Sequence, residues 1–434
     1  MAKDIQGTGL SLASQFAGSK WANKLGLRKP AEKLAYTSTK AGFKFIGKLT
    51  QKKQAKNSDA SVSKNSREKK IFDLSLTDEQ EMIKDTVRSY ASEVVRDLAH
   101  DANENIALPE NFLEDSAALG LNFFSVPEAL GGAAQGHTPT TSAIISEELA
   151  WGDFSLALAT LAPVSVANAI VRWGSEKQQN KWLPLWLADD PVRACIAVQE
   201  QHPLFEANKL SCKAKRTGKG FEISGEKVLV PLGGNCQVYL VAAQYGGKPH
   251  LFIVPGDSNG ISFKKSPAMG LRAAETGTLI LNNVKVDSDA LLSADKNRFS
   301  YKEFIDYGQL HWCSLAIGTC QAALDYCITY ANERIAFGEP ISHRQSVAFM
   351  ISNMAIEIES MRLLTWRAAA LAEQGKPFHR EAYLAHLLCV EKAMEIGTNA
   401  VQVLGGHGFT KEHPAERWYR DLRILGSITS GLHL

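Results

Sequence analysis

The chain has 434 residues, with 48 Lys and Arg against 46 Asp and Glu, and 45% of it is hydrophobic. That composition excludes a disordered, collagenous or coiled-coil protein over most of the length and allows two or three domains with a sizeable core. Seven cysteines without a C-x-x-C pair argue against a disulfide scaffold or a thiolate zinc site. No run of roughly 18–20 uncharged apolar residues is read, so a bilayer-spanning helix is not expected.

The net charge of +2 is an average over two unlike parts. Residues 1–70 hold 16 Lys and Arg and four acids (Asp4, Glu32, Asp59, Glu68), a net of +12, which leaves −10 for the remaining 364 residues. Such asymmetry points to an anionic partner for the arm. Within it Lys40, Lys44, Lys48 and Lys52 recur every four residues. Phe45, Ile46 and Leu49 would form an apolar stripe beside that row on a helix, although Gly42 and Gly47 weaken it. Residues 50–70 are polar and aperiodic, the texture of a linker. A helix packing on protein, a peripheral helix on anionic membrane and a mitochondrial transit peptide are the readings this composition allows.

From residue 75 to about 190 the pattern is helical. Ser75 or Thr77 can cap a helix running through Met82, Val87, Tyr90 and Val94. TSAIISEELAWG and SLALATLAPVSVANAIVRWG read as buried helices, and Pro184 breaks the one after them. At about 191 the texture changes to short β-rich runs: VRACIAV, GFEISGEKVLV, QVYLVAAQ, HLFIVPG, ISFKKS and GTLILNNVKV, with TGKG as a hairpin turn. Long helices return from about 302. Cys313, Cys320 and Cys327, spaced by seven, read as a packed seam, not as metal ligands. Helices at 344–374 and 379–404 are closed by Gly375 and by Gly405-Gly406. The order implies an α+β chain: basic arm (1–70), N-terminal helical domain (71–190), middle antiparallel β-barrel (191–295) and C-terminal four-helix bundle (296–434).

No P-loop, H-E-x-x-H or G-x-S-x-G motif is present, and GGHGF at 405–409 follows a helix, so it is not a dinucleotide fingerprint. The arm lacks the interleaved aromatics of nucleic-acid binders, and no nucleic-acid partner is expected. RIAFGEPISHRQSVAFMISNMA (334–355) resembles the R-x-x-F-G…Q segment of acyl-CoA dehydrogenases. VPEALGG with ISEELAWG, MGLRAAETGTLILNNVKV, and QVLGGHGFTKEHPAERWYRD match the same family in order, over about residues 75–434.

The resemblance implies FAD held between subunits, an acyl-CoA thioester substrate, an electron-transfer partner and a homo- or hetero-oligomer, with a tetramer expected. It implies that Arg334 meets the FAD pyrophosphate, that Phe337 and Gln345 lie near the cofactor, and that Gln402, Gly405 and Gly406 of a neighbouring subunit approach it. Arg suits that task as a planar cation, and Gly as a residue without a side chain in the way. His407 and His413 read as loop-packing residues, and no metal is expected.

The chain departs from the pattern at the reaction itself. Abstracting a proton from the carbon beside the thioester needs a general base within hydrogen-bond reach. The family's two Glu positions correspond here to Thr429 and Gly308, and neither is a carboxylate. Asp306 and His311 flank Gly308; His311 shares roughly its helical face and Asp306 points away. The family's flavin-side loop corresponds to QEQHPLFEANK (199–209), keeping Glu200. Its K-x-W-I-T-N strand corresponds to KVLVPLG, with Leu229 for Trp and Pro231 for Thr. Three readings follow: an active FAD-dependent oxidoreductase acting on a CH–CH bond, with its base elsewhere; a base-less subunit pairing with an active paralogue; or a membrane-associated scaffold that kept only the fold. The expected location is the cytoplasm, with membrane association through the arm, or the mitochondrial matrix if the arm is a transit peptide.

Overall fold

The computed structural model describes residues 75–434, apart from 118, 134–137, 189–191, 203, 267, 293–298 and 429. The basic arm with its lysine row, and Thr429, therefore lie outside the described residues. The chain forms two units, Met1–Leu76 with Asn111–Leu121, and Thr77–Glu110 with Asn122–Leu434. The described part of the first contains one short helix, Phe112–Ala117, in which the Ser116 hydroxyl donates to Leu113 O.

In the second unit Thr77, not Ser75, caps α1 (Asp78–Tyr90). Its hydroxyl accepts from the Gln80 N–H while the Gln80 side chain accepts from the Thr77 N–H. A π-turn over Ala91–Val95 leads into α2 (Arg96–Asn105), followed by α3 (Pro139–Gly152), α4 (Phe154–Trp173) and α5 (Glu176–Trp182). Asp153 caps α4 by accepting the Leu156 N–H. Contrary to the sequence expectation, α4 is long and apolar enough to cross a membrane; 94% of its apolar window is buried inside the fold, which makes it a core helix. An apolar helix surrounded by other elements has no polar face to interrupt the run.

The middle region forms one seven-stranded sheet: β1 (Ala194–Ala197), β2 (Lys213–Thr217), β3 (Gly220–Val230), β4 (Val238–Tyr245), β5 (Lys248–Pro255), β6 (Ile261–Lys265) and β7 (Gly277–Asp287). The order is β1-β4-β2-β3-β7-β6, with β5 on β4. The antiparallel barrel expected from spacing is thus corrected in two ways. β4 takes β1 and β2 in parallel, and no ladder joins β5 to β6 among the described residues, so the sheet is a half-barrel. A run of alternating residues does not encode the direction of its neighbour, and β1 reaches β4 by a crossover past the β2–β3 hairpin. TGKG does turn that hairpin, with Thr217 opposite Gly220. β2 escaped the sequence reading because only Ala214 of its five residues is buried.

The C-terminal region has three long helices, α6 (Tyr301–Glu333), α7 (Gln345–Glu373) and α8 (His379–Leu404), and a short fourth, α9 (Ala415–Leu422). α6 packs against α3, α7 and α8. Cys313, Cys320 and Cys327 are buried on it, and no cluster of metal-binding side chains occurs among the described residues. A Cβ added to Gly318 would lie 2.0 Å from Glu147 O, so the α3 and α6 backbones are in contact and only Gly fits.

Buried charges tie these layers together. Glu147 accepts from Arg362 Nε at 2.9 Å and from Trp366 Nε1 at 2.7 Å. Arg417 Nε lies 3.2 Å from Asp153 Oδ2. Asp421 accepts the Leu271 N–H at 2.7 Å, and Arg420 donates to Met269 O at 2.8 Å. Burial, reinforced by the nearby Asp153, pushes the Asp421 carboxyl up to about 7 against the pull of Arg420 and Arg417. The folded chain therefore holds a proton there that the unfolded chain has released, and stability falls as pH rises from about 4 to about 7. Asp421→Asn keeps an oxygen for the Leu271 N–H and removes the titration. Its melting temperature, followed by circular dichroism across that range, should fall less steeply than that of the parent.

Candidate active site

Two sets of side chains gather at opposite ends of α6. At its C-terminal end the helix stops at Arg334, whose N–H donates to Tyr330 O. The chain then makes a tight hairpin, β8 (Ile335–Ala336) with β9 (Glu339–Pro340), through Phe337 at φ 54 and Gly338 at φ 87. Glu339 anchors the turn by pairing with Arg344 at 3.0 Å and His343 at 3.3 Å, just before Gln345 opens α7. Arg334, Gln345 and Gln402 are exposed, and Phe337 is 96% exposed.

The Gly405-Gly406 loop is held against the same end. Tyr330 Oη lies 2.8 Å from His407 Nδ1 and donates to Leu404 O at 3.4 Å, while Tyr326 Oη lies 2.6 Å from His413 Nδ1. The two imidazoles stack with ring centres 5.4 Å apart. His407 and His413 are thus loop-packing residues. Within one chain Arg334, Phe337 and the Gly-Gly loop therefore lie at the same end of α6.

At the other end stands Gly308. A Cβ there would meet Ser430 Oγ at 2.8 Å and Leu432 O at 3.1 Å. The structure therefore brings Ser430, the neighbour of Thr429, against Gly308. Asp306 faces elsewhere and is engaged by His379, Nδ1 to Oδ1 2.7 Å; burial raises its carboxyl, and His379 opposes that shift. His311 is buried, with Nδ1 3.5 Å from Ser165 Oγ. Around this point lie side chains that sequence reasoning did not single out: Asn168 and Trp173 on α4, and Phe304, Tyr307 and Trp312 on α6. For the three aromatics on α6 the signal in the sequence is the density of rings over 299–312, and Asn168 has none.

On the sheet, Glu200 accepts from Lys227 Nζ at 2.7 Å and from the Ser211 and Cys212 N–H groups at 2.6 and 3.0 Å. Lys227 also donates to Val198 O. Glu200 thereby ties the 199–212 loop to β3. The following segment is bent through Leu229 at φ 55, Leu232 at φ 69 and Gly233 at φ 61, with Pro231 between them.

Consecutive stretches of the chain match three family profiles: acyl-CoA dehydrogenase N-terminal domain at residues 77–190, middle domain at 195–284 and C-terminal domain at 300–431. The chain is 32% identical over 363 residues to the short-chain specific acyl-CoA dehydrogenase, mitochondrial, of Bos taurus, covering 81% of this chain and 86% of that one. This chain belongs to the acyl-CoA dehydrogenase family. Its fold is similar to that of butyryl-CoA dehydrogenase from Megasphaera elsdenii, with TM-score 0.76, 26% identity and coverage of 83% and 96%. It is also similar, at TM-score 0.76 and 28% identity over 83% and 96% of the chains, to a solved structure described as an electron transferring flavoprotein of Acidaminococcus fermentans.

FAD is the cofactor of acyl-CoA dehydrogenases, and the residues at the C-terminal end of α6 suit its phosphate end. A Cβ added to Gly338, Gly405 or Gly406 would meet nothing within 4 Å, so the backbone there is open to a large anion. Arg334 is exposed beside them, with no carboxylate partner among the described residues. On the sheet side Pro231 has no N–H to offer a ring, so contacts there must come from other groups.

The crowding at Gly308 is testable by stability. Gly308→Ala places a methyl group against Ser430 and a backbone carbonyl, and overpacking of this kind costs roughly 1–3 kcal/mol. Urea unfolding should show a loss of that order, whereas Gly406→Ala, facing open space, should lose less.

Proposed function

We propose that this acyl-CoA dehydrogenase family member catalyses FAD-dependent α,β-dehydrogenation of an acyl-CoA thioester to its 2-enoyl form, passing electrons to an electron-transferring flavoprotein. The carrying observation is the 32% identity with a short-chain acyl-CoA dehydrogenase over 363 residues, continuous across all three regions of the fold. That continuity favours an enzyme and gives no support to a base-less subunit or a scaffold.

In this reading Arg334 neutralises the cofactor's pyrophosphate with Phe337 and Gln345 beside it, and Gln402, Gly405 and Gly406 of a neighbouring subunit approach the same cofactor, the glycines presenting backbone N–H groups. FAD, when bound, supplies the hydride acceptor. His311 is the proposed base: it lies one helical turn from Gly308, it is buried, and Asp306 is already engaged by His379.

The seven-residue spacing of exposed Phe349, Ile356 and Leu363 along α7, with Tyr383 and Leu387 exposed on α8, supports an oligomer. A tetramer is the proposed state. For residues 1–70, the excess of 16 Lys and Arg over four acids supports peripheral binding to anionic membrane, each basic residue adding on the order of 1 kcal/mol. The relative from Bos taurus is named as mitochondrial; the matrix is the proposed location if the arm is a transit peptide, and the cytoplasm if it is retained.

The purified chain should be yellow and should reduce an artificial acceptor when given octanoyl-CoA. Arg334→Ala should weaken FAD retention about tenfold, measured by flavin fluorescence on dilution. His311→Gln should lower turnover by on the order of 100-fold while leaving flavin content unchanged; undiminished turnover removes His311 from the role. For the arm, sedimentation with vesicles containing anionic lipid should fall with added salt and with deletion of residues 1–70. Equal, salt-insensitive partitioning of both forms would refute a membrane role.

A further inference from the structure

The segment Ser430–Leu434 lies in the interior, yet it belongs to no helix or strand. Ser430, Leu432, His433 and Leu434 are each at most 3% exposed. The segment runs between α4 and α6, with Gly431 facing Ile196 O on β1. Aromatic rings surround its imidazole: Tyr307 stacks on His433 at 4.6 Å between centres, Trp173 meets it edge-on at 4.8 Å, and Phe304 lies at 6.4 Å. Two side-chain donors hold its carbonyls, Trp312 Nε1 on Ser430 O at 3.2 Å and Asn168 Nδ2 on His433 O at 3.5 Å. Ser430 Oγ and Leu432 O fill the space that a side chain at position 308 would take.

These are the features of a ligand seated in a pocket. The walls are mostly aromatic, the occupant is a non-helical stretch with apolar Leu432 and Leu434, and a few convergent donors face carbonyl oxygens. An acyl thioester offers the same chemistry, an apolar chain ending in one carbonyl. The pocket borders Gly308 and Ser430, where the proposed reaction would take place. Held by ring contacts and side-chain donors, the segment has no helix or strand ladder to break on leaving.

We propose that Ser430–Leu434 is an internal competitor for the acyl chain: it fills the acyl pocket in the resting protein and must be displaced when an acyl-CoA thioester binds. This rests on the acyl-CoA reading above. Apparent affinity for such a substrate is reduced by the fraction of molecules in which the segment is out, so removing the segment should tighten binding without adding a contact.

The test compares the full chain, loaded with FAD, with a chain ending at Thr429, using calorimetric titration with octanoyl-CoA and with the apolar fluorophore 1-anilinonaphthalene-8-sulfonate. The shortened chain should bind octanoyl-CoA at least tenfold more tightly and should bind the fluorophore where the full chain does not. Equal octanoyl-CoA affinity in the two folded forms overturns the competitor while leaving the acyl-CoA reading intact. Fluorophore binding by the shortened chain with no octanoyl-CoA binding by either form overturns the acyl-CoA reading and the competitor with it. Should the shortened chain fail to fold, hydrogen exchange on the unaltered chain decides. Saturating octanoyl-CoA should deprotect the amides of residues 430–434, and unchanged protection overturns the proposal.

Discussion

Helix α6 is covered on almost every side, and the rest of the molecule is arranged around that burial. From Tyr307 to Leu324 it carries no Asp, Glu, Lys or Arg. Charged residues there would have to be desolvated, and the helix avoids that cost by placing its charges near the two ends. Two of its buried hydroxyls are satisfied by backbone carbonyls: Ser314 donates to Leu310 O and Thr319 to Ala150 O on α3, each at 3.0 Å. Small residues then set how close the neighbours come, and Gly318 lets α3 touch backbone to backbone. Both candidate sites hang from the ends of this one rigid element, Arg334 with the glycine loop at one and Gly308 with its aromatic surroundings at the other. Side chains on a buried helix are held more closely than side chains on a free loop could be.

Where charges do enter the interior they come in pairs. Glu147 with Arg362 and Asp153 with Arg417 join elements more than 200 residues apart, and Glu200 with Lys227 joins a loop to β3. Such pairs add little net stability over apolar packing, but breaking one leaves an uncompensated charge and costs about 3–5 kcal/mol. Their effect is to specify which elements meet. Arg420 and Asp421 do the same with backbone partners: they grip Met269 and Leu271, so two sequence blocks that read as separate motifs, MGLRAAETG and AERWYRD, form one joint between the sheet and the last helix.

Much of the architecture was legible because its signals are local. The ends of α8 at His379 and Leu404, and of β3 at Gly220 and Val230, coincide with glycine punctuation and with changes in periodicity. What failed was non-local. β2 is a charged ribbon that looks like a loop until β3 pairs with it. The parallel direction of β1 on β4 depends on a crossover, and no residue in either strand announces it. α4 reads by composition like a membrane span, and only its neighbours reveal a core helix.

The same division runs through the site. By itself the sequence determined the family, the order of its three regions, the charge split between a basic arm and an acidic body, and the lack of a carboxylate at Thr429 and Gly308. These are properties of residue identity and short spacing, and they do not depend on where the chain goes. Only the tertiary structure decided that Tyr330 holds the Gly405-Gly406 loop beside Arg334, that Asp306 is engaged by His379, and that Ser430–Leu434 occupies the aromatic space beside Gly308. The reason is physical: a contact between α6 and a segment some 70 to 120 residues away is chosen by the packing of every element between them, and no window of sequence contains that choice.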